Sequence, residues 1–203
     1  DPAEVARITA YFAPPAWEDL PEETVALDRL RKAQPAFDAW YRANVVGHRT
    51  PGYAIVNLSL KSPGIAPGDL TAEQMDRVAD LADRFSLGEL RVSHRQNLVF
   101  TDVRQKELHE LWTELARISL ATANIGTLTD IVACPGLDFC SLANARAIPV
   151  AQDISRHFSD AATLQDIGEL TINISGCMNA CGHHHVGHIG ILGVEKKGQE
   201  FYQ

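Results

Sequence analysis

Four cysteines carry the chemistry that this sequence advertises. Cys134 and Cys140 form a C-x5-C pair inside Ala-Cys-Pro-Gly-Leu-Asp-Phe-Cys, and Cys177 and Cys181 form a C-x3-C pair inside Ser-Gly-Cys-Met-Asn-Ala-Cys-Gly. Glycine and proline beside each pair let backbone amides turn toward a shared anionic centre, such as four thiolates around iron and sulfide. Structural zinc also takes four thiolates, although its loops are usually tighter, C-x2-C to C-x4-C. A third reading leaves the thiols unliganded in a core. In a chain of 203 residues, four cysteines are too few for a disulfide scaffold, and all of them lie beyond residue 130.

The rest of the composition narrows the class. Hydrophobic residues make up 45% and charged residues 22%, which is globular composition. No apolar run is long enough to span a bilayer, and the opening Asp1-Pro-Ala-Glu-Val-Ala-Arg lacks the basic and apolar regions of a signal peptide, so a cytoplasmic protein without a membrane partner is expected. With 18 basic and 26 acidic side chains the formal charge is −8, which argues against a nucleic-acid partner.

The elements that must position the thiols follow from hydrophobic period. Residues 1–46, rich in proline and scattered aromatics, read as an arm or linker that needs another surface to pack on. Tyr53 to Leu60 alternates Ala54, Val56, Leu58 and Leu60 on one face, as a strand does. Thr71 and Gln74 have capping-box spacing, with Leu70 and Met75 placed as a hydrophobic staple, and Met75, Val78, Ala79, Ala82 and Phe85 form a helical stripe ended by Gly88. Glu89–His94 and Leu98–Val103 read as paired strands. Leu108, Leu111, Trp112, Leu115 and Ile118 mark a second core-facing helix, and Thr129–Ala133 a last strand. The resulting β-α-β-β-α-β order is a ferredoxin-like split βαβ arrangement over 47–133. Beyond it, over 134–203, a helix from about Leu142 to Phe158, a strand at Glu169–Ile174 and a hairpin turning at Lys196-Lys197-Gly198 are expected, giving an α+β chain. The chain ends a few residues into that hairpin's return, as a piece of a longer protein would.

The cysteine motifs, followed by Ile189, Gly190 and Gly193, resemble the cluster-binding segment of the sirohaem-dependent sulfite and nitrite reductases. Gly-Asp-Leu-Thr-x-Glu-Gln (68–74) and Leu-Arg-Val-Ser-x-Arg-Gln-Asn (90–97) resemble that family's second ferredoxin-like repeat, so the likeness runs from about Val45 to the end. Cys-Met-Asn-Ala-Cys-Gly-His-His-His-Val-Gly-His-Ile-Gly is most similar to the bacterial haemoprotein branch. The resemblance implies that Cys134, Cys140, Cys177 and Cys181 hold a [4Fe-4S] cluster, with Cys181 shared with the sirohaem iron and Asn179 close to both cofactors. Sirohaem is a polycarboxylate, and Arg91, His94, Arg95 and His183 to His185 are its candidate cationic contacts, His94 and also His188 being the weaker ones; Arg91 and Arg95 read equally well as solvated strand residues, and Gln96 and Asn97 are candidate hydrogen-bond donors to its edge, or simply close the hairpin. Met178 stands where many members have proline, and the histidine run where an arginine follows Cys-Gly. The resemblance further implies a small oxyanion substrate, a flavoprotein or ferredoxin as electron donor, and a homologous half that this chain lacks. On that expectation the chain alone is inactive. A zinc- or cluster-carrying electron-transfer module is the alternative. His48, with Arg42 and Arg49, reads as part of a solvated loop.

Overall fold

The computed structural model describes residues 1–203 as two packed cores joined in sequence. The first fifty residues are more ordered than their proline content suggests. Helix α1 (Pro2–Tyr11) buries no side chain, but α2 (Thr24–Ala33) and α3 (Pro35–Asn44) do. Pro35 starts α3 rather than breaking it, because at the first helical position its missing N–H has no helical partner to lose. Phe37 and Trp40 are fully buried and stack on each other, with Trp112 against Phe37. The arm expected over 1–46 therefore shrinks to residues 1–23, and the rest completes the first core.

That core is an all-antiparallel sheet of β1 (Val45–Gly47), β2 (Tyr53–Leu58), β3 (Leu90–Val92) and β4 (Leu98–Arg104), in the order β1-β2-β4-β3. Helix α4 (Ala72–Phe85) connects β2 to β3, and α5 (Leu108–Arg117) follows β4. Ala54, Val56, Leu58, Phe100 and Val103 meet Val78, Leu81, Phe85, Leu108, Leu111 and Leu115 on one face. The capping box forms in both directions, Gln74 N–H to Thr71 Oγ1 and Thr71 N–H to Gln74 Oε1, each at 3.1 Å. Met75, however, is exposed and no staple, because the α4 stripe turns through Leu81 toward the sheet and leaves Met75 and Ala79 to line an open groove.

The opposite sheet face carries the proline-rich strap that follows α1. The indole N–H of Trp17 donates to Asp102 Oδ1 at 2.6 Å, and His48 Nε2 stands 3.4 Å from the same oxygen. The Arg49 guanidinium lies over the Trp17 ring. His48 is thus a buried anchor rather than part of a solvated loop.

The strand expected at Thr129–Ala133 is shorter and belongs elsewhere. It is β5 (Val132–Ala133), which pairs in parallel with a strand of a second sheet, so the β-α-β-β-α-β order gives way to a first sheet completed at its front by β1. Helices α6 (Ile148–His157) and α7 (Ala161–Ile167) lead to β6 (Ile172–Ser175), and β7 (Ile189–Lys196) and β8 (Gln199–Tyr202) close the sheet in the order β5-β6-β7-β8. The first three strands are parallel, and β8 returns through Lys197 and Gly198, both at positive φ as a tight hairpin turn demands. The second core is small and begins at Leu128, upstream of the boundary expected at Cys134; Cys134 itself is one of its members.

Replacing Trp40 with alanine should cost about 3–5 kcal/mol in chemical denaturation, whereas removing residues 1–12, none of them buried, should change stability by no more than about 0.5 kcal/mol.

Candidate iron-sulfur site

Parallel pairing brings the two cysteine loops together. Val132 pairs with Asn173 and Ala133 with Ile174, so Cys134 leaves β5 at the same end at which Cys177 leaves β6. Loops at the carboxyl ends of parallel strands are where open sheets build their sites. The Cys134 N–H continues the ladder to Ile174 O at 3.1 Å.

Glycines then let the loops touch backbone to backbone. A Cβ on Gly176 would lie 2.5 Å from Ala145 O and 2.9 Å from Gly136 Cα, and one on Gly193 would lie 2.6 Å from Ala145 Cβ. Gly136 also needs its φ of +61°. The amides of Asn144 and Ala145 both donate to Gly176 O, at 2.8 and 3.0 Å. Those two bonds keep residues 142–147 out of the helix expected from Leu142, and α6 begins only at Ile148. Gly182 is pressed equally hard, since a Cβ there would reach 1.9 Å from Ile174 O, and Asn173 Nδ2 donates to Gly182 O and His183 O. Ala180 and His183 both take left-handed φ, which folds the 177–183 loop tightly around Cys181.

The thiols grade from inside to outside. Cys134 and Cys177 are buried, Cys140 is half-buried and Cys181 is exposed, beside exposed Met178 and Asn179. The Gly176 N–H donates to Cys134 Sγ at 3.0 Å. An amide aimed at sulfur stabilises negative charge there, which suits a thiolate bound to iron. No three cysteine, histidine, aspartate or glutamate side chains converge on one point, so the four thiols do not form a closed ligand set in this structure. An all-thiol donor set on two stacked loops, with an amide directed at one sulfur, is donor chemistry that a [4Fe-4S] cluster can take.

The other candidates sit apart from the thiols or are already bonded. Arg91 is exposed, paired with Glu89, and lines the cavity under the strap with Trp17 and His48. Arg95 donates to Asp130 Oδ2 at 3.3 Å and to Asp130 O at 3.2 Å. Asn97 Nδ2 donates to Asp130 Oδ1 at 3.0 Å while its Oδ1 accepts from Leu60 N. The Gln96 amide bonds both backbone groups of Ala133. His94 and His183 are exposed; His184 is half-buried, its ring 5.3 Å from that of exposed His185.

The sequence reading missed the charge at the centre of this arrangement. Lys61 and Asp130 are both buried, with Nζ 2.6 Å from Oδ1. Burial pushes the Lys61 ammonium below the ordinary lysine range, and the Asp130 carboxylate opposes that shift. Sixty-nine residues separate the two, so no local pattern marks them. Gln96 and Asn97 line the apolar groove of about 850 Å³ that runs from α4 to Ala133, Pro135 and Phe139.

Asp130→Ala should destabilise the chain by about 3–5 kcal/mol, because it leaves a buried ammonium without its counter-charge, and Lys61→Met in that background should recover much of the loss in denaturant titrations. Gly176→Ala should abolish iron and sulfide uptake while the first core, followed by Trp40 burial, stays intact.

Comparison with known proteins bears on the fold and the family. Residues 48–118 match the family described as the nitrite/sulfite reductase ferredoxin-like half domain. The ferredoxin–nitrite reductase of Synechococcus elongatus is 31% identical over 178 residues, covering 84% of this chain and 33% of that protein. Sulfite reductase (ferredoxin) 2 of Mycolicibacterium paratuberculosis is 30% identical over 66% of this chain and 25% of its own length. The chain thus spans a third or less of these relatives. The solved structure of the Mycobacterium tuberculosis NirA protein shares the fold, with a TM-score of 0.61 at 24% identity over 79% of this chain and 29% of that one. No helix is long and apolar enough to cross a membrane. Its ferredoxin-like half domain and these relatives place the chain in the nitrite and sulfite reductase family.

Proposed function

We propose that this chain is the iron-sulfur and sirohaem-bearing segment of an enzyme that reduces sulfite to sulfide or nitrite to ammonia with electrons from ferredoxin. The observation that carries the reading is the stacking of the two cysteine loops through Gly136, Gly176 and Gly193 at one end of adjacent parallel strands. Cys134, Cys140, Cys177 and Cys181 would hold the [4Fe-4S] cluster, and Cys181 would be shared with the sirohaem iron. Together these groups supply several electrons, one after another, to a small oxyanion.

The protein's part is to seat and tune them. Cys134, a member of the second core, and buried Cys177 would hold the inner side of the site away from water. Gly176 N–H stabilises charge on Cys134 Sγ. Cys181 stands outermost, where a thiolate can face a second cofactor, and Asn179 and His183 lie on the same exposed turn. Of the expected arginines, Arg95 keeps the outer edge of its guanidinium for a polycarboxylate, whereas Arg91 lies under the strap, paired with Glu89. The ferredoxin named in the relatives supports that donor over a flavoprotein. The basic side chains that grip the oxyanion would come from the homologous half, so the chain alone is expected to be inactive.

Anaerobic reconstitution should give about four irons and four acid-labile sulfides per chain; one zinc and no sulfide would instead identify a zinc-stabilised module. With sirohaem added, a coupled haem spectrum that Cys181→Ser removes would support the shared thiolate. Steady turnover of sulfite or nitrite by these 203 residues with reduced methyl viologen would refute the need for a second half.

A further inference from the structure

Strand β5 is two residues long and lies at the edge of its sheet, with β6 as its only strand partner. Its free edge is covered by one side chain. Gln96 Nε2 donates to Ala133 O at 2.7 Å, and Ala133 N–H donates to Gln96 Oε1 at 3.1 Å. That is the reciprocal pair of bonds a neighbouring strand would make. Gln96 reaches this position from a left-handed backbone, φ +57°, which a non-glycine residue adopts only where the surroundings hold it.

The residues on either side grip the segment just upstream. Arg95 and Asn97 both bond Asp130, which also accepts from Lys61 Nζ and from Gly126 N–H at 3.0 Å. One three-residue turn of the half domain, Arg95-Gln96-Asn97, therefore holds 130–133, and Cys134 is the next residue. Its Sγ in turn receives the Gly176 amide from the second cysteine loop.

We propose that Gln96 is a positioning residue for the iron-sulfur site: its amide fixes the height of β5, and so holds Cys134 where Gly176 N–H meets the sulfur. The inference rests on the cluster reading above. Hydrogen bonds to cluster sulfurs raise the reduction potential, and groups that orient metal ligands govern retention.

The test loads the full chain with ferrous iron and sulfide under argon and compares it with two variants. Gln96→Gly removes the amide yet relaxes the left-handed backbone, so folding is favoured. Gln96→Glu keeps the size and the acceptor but sets a carboxylate against Ala133 O, and it serves if the glycine variant does not fold. The expected result is unchanged far-UV circular dichroism, faster exchange of the Ala133 amide, iron loss to a chelator about tenfold faster, and a lower cluster potential. Cluster loading of the unaltered chain that fails altogether would sink the cluster reading and the inference with it. Loading that succeeds, with retention and potential the same in the folded variants, would overturn the inference alone.

Discussion

The buried carboxylate of Asp130 is the point on which the two cores depend. It accepts from Lys61, Arg95, Asn97 and the Gly126 amide, so side chains from the end of β2, the β3–β4 turn and the approach to β5 meet on two oxygens. A charge this deep is tolerable only when its partners are all in place. Because three of those partners belong to the first sheet and Asp130 leads directly into the second, satisfying one carboxylate fixes where the second sheet starts.

From there the geometry propagates by short steps. Ala133 is held on one edge by Gln96 and on the other by Ile174; Cys134 follows; the stacked glycines bring Cys177 beside it. After the Gln96 side chain the steps are close backbone approaches, which explains why glycine occupies the crossing points and why a single methyl group at Gly176 would be resisted by main chain rather than by movable side chains.

Much of this was legible in the residues. The alternation that begins at Ala54 and the Thr71–Gln74 cap each carry a local signature, and the structure realises them as a strand to Leu58 and a capped helix; the two cysteine pairs carry one too, and the loops that bear them leave adjacent strands at the same end. What escaped has no local signature. Pro35 looks like a breaker and acts as a helix start. Val132–Ala133 has the composition of a strand, but two residues cannot declare which sheet they join. Gln96 and Asn97 were noticed as polar residues beside a motif, yet their partners lie 33 to 37 residues away and face the protein's own backbone and Asp130. The Lys61–Asp130 pair illustrates the same limit at greater range.

That separation ties the thiol-bearing sheet to residues remote from it in sequence. The clamp on Asp130 joins segments 33 to 69 residues apart, and the first core is itself closed at long range, since β2 pairs with β4 from Tyr53 opposite Arg104 to Leu58 opposite Leu98. The place where the second sheet starts is thus set by a half domain assembled across comparable distances. A lesion in that half domain, far from any cysteine, would then disturb the proposed cluster site while leaving all four thiols in the sequence.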